Sequence, residues 1–219
     1  MHYLHYQLGH PSRRDFIAAL IEHLQGTYAI PEGKVIMSGH SNGGSMAFRF
    51  YCERSELIGG LVIQSQAYFD PVVGYYDYIN KRVPSGTPQC HPKFKRPFYS
   101  DIGTADVYYG PNVSTPGFQG IDKWRQNFSV AVLGCTGEAA PTSRGPHSLP
   151  GSDGKGGEEV GLASTCYEFA AGSCPGMTPP AINRFCSVAG LAHDETPLSV
   201  LLPTAFAEFF PDGWLAGSE

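Results

Sequence analysis

Apolar residues recur at helical spacing in several parts of the chain. Residues 12–15 (Ser-Arg-Arg-Asp) have the form of a capping box, and the apolar positions after them predict an amphipathic helix over about residues 13–25. Helical spacing resumes in residues 46–51, directly after a glycine-rich turn. The same reasoning predicts helices near residues 119–128 and over residues 198–210.

Short apolar runs separate these helices and have the form of buried strands. They cover residues 35–37, 60–63, 97–102, 165–170 and 183–188. Because strands alternate with helices, the order predicts an α/β fold with a mainly parallel sheet and helices on both faces. A length of 219 residues with 42% apolar residues fits one domain, residues 1–219.

Two long segments lack such periodicity. Residues 71–92 are rich in proline and tyrosine and predict an irregular excursion over the surface. Residues 134–160 are dominated by glycine, proline and small polar residues and predict a mobile loop. Aromatic residues in and just before the first segment could line an acyl or aromatic pocket or simply form a surface loop: Tyr68, Phe69, Tyr75, Tyr76 and Tyr78.

Charge and hydropathy argue against two classes of partner. The formal net charge of −5 disfavours nucleic-acid binding, since Lys and Arg cluster only in residues 93–96. No apolar run approaches the roughly 20 residues that span a bilayer, and the first 16 residues lack the apolar core of a signal peptide. We therefore expect a soluble protein with no nucleic-acid or membrane partner.

Six widely spaced cysteines point to an oxidising compartment. Their even number permits 15 disulfide pairings, and the chain contains no CxxC pair. We interpret them as disulfides, with free buried thiols as the alternative, and two N-x-S sequons favour the same setting. The cysteines thus suggest a secreted protein, although the chain as given shows no signal peptide.

The glycine-rich turn carries the first candidate for chemistry, Ser41. It lies in the sequence GHSNG (residues 39–43), a GxSxG pattern that a chain rich in glycine and serine can contain by chance. Its context is more specific, because a strand precedes the turn and a helix follows it. Gly39, Gly43 and Gly44 keep this turn free of bulky side chains. The pattern therefore predicts a nucleophile elbow.

A serine nucleophile needs a base to accept its proton and an acid to orient that base. Asp106 follows the third strand and His193 follows the last one, in the chain order expected for a triad on this type of fold. Asp106 could instead be a turn or cap residue, and His193 a surface histidine. Among their rivals, Asp101 lies within a strand, Asp194 in a loop, and His40 should point away from the serine Oγ.

Several motifs together resemble one family. The stretches SGHSNGG, RPFYSDIGTADVYY and AGLAHD resemble the secreted polyhydroxybutyrate depolymerase and feruloyl or acetylxylan esterase group of the α/β-hydrolase superfamily, over about residues 15–210. The resemblance implies that Ser41 is the nucleophile, Asp106 the triad acid and His193 the base. It further implies that the Asn42 backbone N–H is an oxyanion donor, and that neither a metal nor an organic cofactor is needed.

The resemblance also implies a disulfide connectivity and a longer sheet. The family's sheet begins with strands that precede the helix near Ser12, and one of them ends in a His-Gly loop with a second oxyanion donor. We expect from this that the chain is N-terminally incomplete and that the strand before Ser41 is an exposed edge, prone to pairing. The implied disulfides are Cys52–Cys90, Cys135–Cys166 and Cys174–Cys186.

These observations predict a serine-dependent hydrolase of carboxylic esters, of the polyhydroxyalkanoate or of the feruloyl- or acetyl-polysaccharide type. One alternative is a catalytically impaired remnant that acts as a binding protein, because losing one oxyanion donor lowers turnover by about 10²–10³. Another is a zinc protein, although the spacing of its possible ligands is irregular. Those ligands would be Cys166, Cys174, Cys186 and His193.

Overall fold

The computed structural model of the chain describes seven stretches, residues 12–65, 90–107, 127–137, 140–149, 160–169, 172–177 and 183–193. Six strands in these stretches form one sheet, in the order β1-β2-β3-β6-β5-β4. The strands β1, β2, β3 and β6 are parallel, whereas β5 and β4 are antiparallel to their neighbours. The bounds are β1 Ile36–His40, β2 Gly60–Gln64, β3 Phe98–Gly103, β4 Ala140–Leu149, β5 Val160–Glu168 and β6 Asn183–Val188.

Two α-helices confirm the helices predicted from periodicity in this part of the chain. Helix α1 spans Arg13–Tyr28 and begins with the predicted capping box, in which Ser12 and Asp15 bond reciprocally. Helix α2 spans Asn42–Arg54 and continues into a 3₁₀ turn. An ion pair between Arg14 and Glu53 joins the two helices. With these helices beside the sheet, the fold is α/β.

An aromatic cluster anchors α2 to the middle of the sheet. Phe48 of α2, Phe98 of β3 and Phe185 of β6 are fully buried around Phe128, which belongs to a π-helix over Asn127–Val132. The Phe98 and Phe128 ring centroids are 4.6 Å apart, and Phe98 and Phe185 are 5.2 Å apart. Such packing holds the middle of α2 against β3 and β6.

The prediction of a loop over residues 134–160 is wrong for residues 140–149, which form β4 and pair antiparallel with β5. The strand lacks an apolar alternation because pairing at the end of a sheet needs only backbone donors and acceptors. β4 is the last strand of the described sheet, and a strand in that position tolerates residues without an N–H such as Pro141 and Pro146. The register shifts between Arg144 and His147.

The strand before Ser41 lies at the other end of the described sheet. Its neighbour there is β2, and Ser38 in its middle is exposed. Helix α1, next along the chain, buries Ala18 and Ile21 but leaves Phe16 and Leu20 exposed. The apolar face of α1 is therefore only partly covered within the described residues.

All six cysteines form disulfides, which contradicts the free-thiol alternative. The pair Cys52–Cys90 confirms one implied bridge, but the other two are wrong. Cys166 lies directly opposite Cys186 in the β5–β6 register, with Cα atoms 4.0 Å apart, and that position decides its partner. The remaining bridge is Cys135–Cys174.

Some predictions concern residues outside the described stretches. These are the helix over residues 198–210, most of the excursion over residues 71–92 with its aromatic residues, and Asp194. Of the helix predicted near residues 119–128, only the last two residues are described, and they begin the π-helix. Within the described stretches, no helix combines the length and apolar content needed to cross a membrane.

Candidate active site

Ser41 occupies a strained turn between β1 and α2. Its backbone has φ 51° and ψ −122°, a conformation that a residue with a side chain rarely adopts. Although Ser41 stands at the N-cap position of α2, its side chain makes no capping bond. The Oγ lies instead 2.9 Å from Nε2 of His193. The turn thus directs the hydroxyl away from its own helix and toward a distant loop.

Gly39 is what allows this turn to be so tight. A Cβ on Gly39 would lie 2.3 Å from the backbone carbon of Gly43 and 2.6 Å from the nitrogen of Gly44. Because these are backbone atoms, no rotamer change could relieve the contact. A Cβ on Gly43, in contrast, would meet nothing within 4 Å. The prediction that both glycines keep the turn free of collisions is therefore correct for Gly39 and wrong for Gly43.

Asp106 and His193 lie in loops that follow two adjacent strands, β3 and β6. Backbone bonds join the loops, from Thr104 N–H to the Val188 carbonyl (2.8 Å) and from Ala105 N–H to the Leu191 carbonyl (3.1 Å). A Cβ on Gly103 would lie 1.9 Å from that Leu191 oxygen. The loop carrying His193 therefore passes directly over the end of β3.

The three predicted side chains meet in one hydrogen-bonded chain. His193 Nδ1 lies 2.9 Å from Asp106 Oδ2, and His193 Nε2 lies 2.9 Å from Ser41 Oγ. Because a carboxylate only accepts, Nδ1 carries the proton and Nε2 is left to accept one from the serine hydroxyl. Asp106 is 3% exposed and His193 8%, so water has little access to the bond between them. This arrangement can deprotonate Ser41.

A buried polar pair, Gln64 and Asp101, lies beneath the turn. The Gln64 carbonyl accepts from Ser41 N–H at 3.0 Å, and the Asp101 carbonyl accepts from Ser65 N–H at 2.9 Å. Their side chains are linked by Gln64 Nε2 donating to Asp101 Oδ2 at 3.2 Å. Burial raises the pKa of Asp101 to about 7, partly offset by the hydrogen bonds from Gln64 and Tyr99. Sequence reasoning treated Asp101 only as a rival triad acid, although a carboxylate in the centre of an apolar strand already signals an unusual environment.

His40 has a contact that sequence reasoning did not foresee. Its Nε2 lies 2.8 Å from the backbone carbonyl oxygen of His193, and the two imidazole centroids are 4.9 Å apart. Its side chain therefore contacts the loop that carries the candidate base.

Asn42 is the first residue of α2, so its backbone N–H has no partner within the helix and forms part of the positive end of the helix dipole. The zinc alternative is wrong, because its three cysteines are all in disulfides and cannot act as thiolate ligands. In the described part of the chain, no cluster of three or more His, Cys, Asp or Glu side chains could hold a metal ion.

Comparison with solved structures shows that the fold is similar to that of acetyl xylan esterase from Aspergillus awamori. The two structures align with a TM-score of 0.51 and 13% sequence identity, over 94% of this chain and 67% of the esterase chain. At this identity the likeness shows the fold alone. No protein-family model matches the sequence, and a comparison with curated proteins also finds no match.

Proposed function

We propose that the protein is a serine-dependent hydrolase of carboxylic esters with an α/β-hydrolase fold. The observation that carries the proposal is the hydrogen-bonded chain from Asp106 through His193 to Ser41, with both distances at 2.9 Å. The positive φ of Ser41 supports it further, since a nucleophile elbow strains its serine in this way. The fold shared with an acetyl xylan esterase is consistent with the proposal.

In the proposed reaction, Ser41 Oγ attacks the ester carbonyl while His193 Nε2 takes its proton. Asp106 holds the imidazole in the required tautomer and stabilises the imidazolium. The Asn42 N–H, at the start of α2, donates to the oxyanion that forms. His193 then returns the proton to the departing alcohol, and water activated by His193 releases the acid from the acyl-enzyme.

For the substrate we propose an acylated polysaccharide or a polyester. The sequence motifs resemble enzymes of both kinds, and the name of the structural neighbour, acetyl xylan esterase, favours an acetylated xylan as the first substrate to test. A polymer supplied from outside is too large to cross a membrane, so an enzyme that degrades such a polymer would act outside the cell. The three disulfides fit that location, because they persist in oxidising compartments.

A fluorophosphonate probe tests the proposal directly, because it reacts only with an activated serine. We expect stoichiometric labelling at Ser41, none in Ser41→Ala, and labelling slowed by about 10⁴-fold in Asp106→Asn. Ser38→Ala is the matched control, since Ser38 is exposed on β1, three residues before Ser41. If the folded, disulfide-bonded protein is not labelled at Ser41, the non-catalytic alternative replaces this proposal.

A further inference from the structure

His40 ends β1, whereas His193 follows β6, and the hydrogen bond between them connects residues 153 positions apart. In the sheet, β2 and β3 separate these two strands. Adjacent strands lie about 4.8 Å apart, so three spacings place β1 and β6 about 14 Å from each other. The loop after β6 must therefore cross the end of β3 and reach toward β1 before His193 can meet Ser41.

The start of this loop is held from the β3 side. Ala105 N–H donates to the Leu191 carbonyl at 3.1 Å, and Gly190 N–H donates to Thr104 Oγ1 at 2.8 Å. Both bonds fix the loop where it passes over β3, before it arrives at β1. The His40 bond holds the far end, at the main chain of His193 itself.

The acceptor in the bond between His40 and His193 shows which atom carries the hydrogen. A backbone carbonyl oxygen can only accept, so His40 Nε2 carries a hydrogen and donates it at 2.8 Å. The bond is made to the main chain and leaves both ring nitrogens of His193 to Asp106 and Ser41. His40 thus fixes the position of the base without competing for either of its catalytic hydrogen bonds.

We infer that His40 is a positioning residue, whose Nε2–H bond to the His193 carbonyl holds the imidazole of His193 at reacting distance from Ser41. The inference rests on the proposed function for its effect on rate. The hydrogen bond from His40 to the His193 carbonyl, the tether, does not depend on that function. A displacement of about 1 Å in a reacting group can cost about 10²-fold in rate. Losing the tether is therefore expected to slow proton transfer and leave substrate binding unchanged.

Two substitutions of similar length separate the donor from the bulk of the side chain. His40→Gln keeps an amide N–H near the position of Nε2, whereas His40→Met fills similar space without a donor. We expect His40→Gln to keep kcat within about threefold of wild type, and His40→Met to lower kcat about 10- to 100-fold with KM unchanged. The rate of fluorophosphonate labelling should fall by the same factor. His40→Asn, whose amide is too short to reach the His193 carbonyl, should behave like His40→Met and serves if the latter fails to fold.

Hydrogen–deuterium exchange of the backbone amides of residues 189–193 tests the tether without an activity measurement. Exchange there should be faster in His40→Met and His40→Asn than in wild type and His40→Gln. Equal exchange in all four proteins would overturn the inference, as would equal kcat losses in His40→Gln and His40→Met. If wild type is not labelled at Ser41, the proposed function fails, whereas the exchange pattern still decides whether His40 holds the loop.

Discussion

Asp101 makes the stability of this protein depend on pH in a way that one substitution isolates. Its side chain is fully buried in β3 and bonded to Gln64, while its second oxygen, Oδ1, has no hydrogen-bond partner among the described residues. Burial raises its pKa from 3.8 to about 7. Asp101→Asn keeps the shape and removes the charge. The substitution should therefore stabilise the protein above pH 7 and have little effect near pH 4.

Proton linkage gives the sign and the size of this change in the free energy of unfolding. Between pH 4 and pH 7 the folded protein keeps a proton on Asp101 that the unfolded chain releases, so the free energy of unfolding falls as pH rises. A shift from 3.8 to about 7 corresponds to about 4 kcal/mol in total, at 1.36 kcal/mol per pKa unit. Above pH 7 Asp101 is ionised in both the folded and the unfolded protein, so the free energy of unfolding stops falling.

Urea denaturation with the disulfides intact, at several pH values from 4 to 8, measures the contribution of Asp101 to the free energy of unfolding. The difference in unfolding free energy between Asp101→Asn and wild type should rise by about 4 kcal/mol across that range. Asp15→Asn is a contrasting control, because hydrogen bonds with Ser12 and Arg14 lower the pKa of Asp15. Its difference from wild type should stay nearly constant from pH 4 to pH 8, because above pH 4 Asp15 is mostly ionised in both the folded and the unfolded protein. A difference for Asp101→Asn that stays constant with pH would refute the reasoning.

Three further predictions concern the turn, the loop crossing and the disulfides. Gly39→Ala should slow fluorophosphonate labelling of Ser41 by about 100-fold or more because its Cβ meets the Gly43 backbone, whereas Gly43→Ala should stay within a few-fold of wild type. Gly103→Ala should lower both the labelling rate and the free energy of unfolding, the latter by about 1–3 kcal/mol in urea titrations, because its Cβ meets the Leu191 carbonyl; unchanged values would contradict this contact. Peptide mapping without reduction should recover Cys135–Cys174 and Cys166–Cys186, and mapped bridges between Cys135 and Cys166 would contradict the β5–β6 register.

The sequence predicted most of the elements whose structure is determined locally. The capping box at Ser12, the apolar runs of β1, β2, β3 and β6, and the helix after the glycines are each readable within a few residues. The candidate site residues could also be located from the sequence, because Ser41, Asp106 and His193 lie one, three and five residues after the ends of recognisable strands. Parallel strands place their carboxyl ends at one edge, so positions at strand ends could be expected to converge.

Features that depend on pairing between distant segments were not predictable in this way. Strand β4 carries no apolar alternation and exists because β5 offers it a ladder of backbone partners. The partner of Cys166 depends on the register between β5 and β6, which no single stretch of sequence specifies. The same limit applies to His40, whose neighbour in the sequence, Ser41, gives no sign that the imidazole meets a loop 153 residues away.

The crossing of the His193 loop over β3 explains why residues without reactive groups matter to this site. The loop that carries His193 runs from β6 past β3 toward Ser41 at the end of β1, and it lies so close to β3 that a Cβ on Gly103 would collide with the Leu191 carbonyl. At the end of β1, Gly39 allows the tight turn that carries Ser41, and His40 donates a hydrogen bond to the loop at the His193 carbonyl. The 2.9 Å between His193 Nε2 and Ser41 Oγ is thus set by two glycines and one donor, as well as by the carboxylate of Asp106.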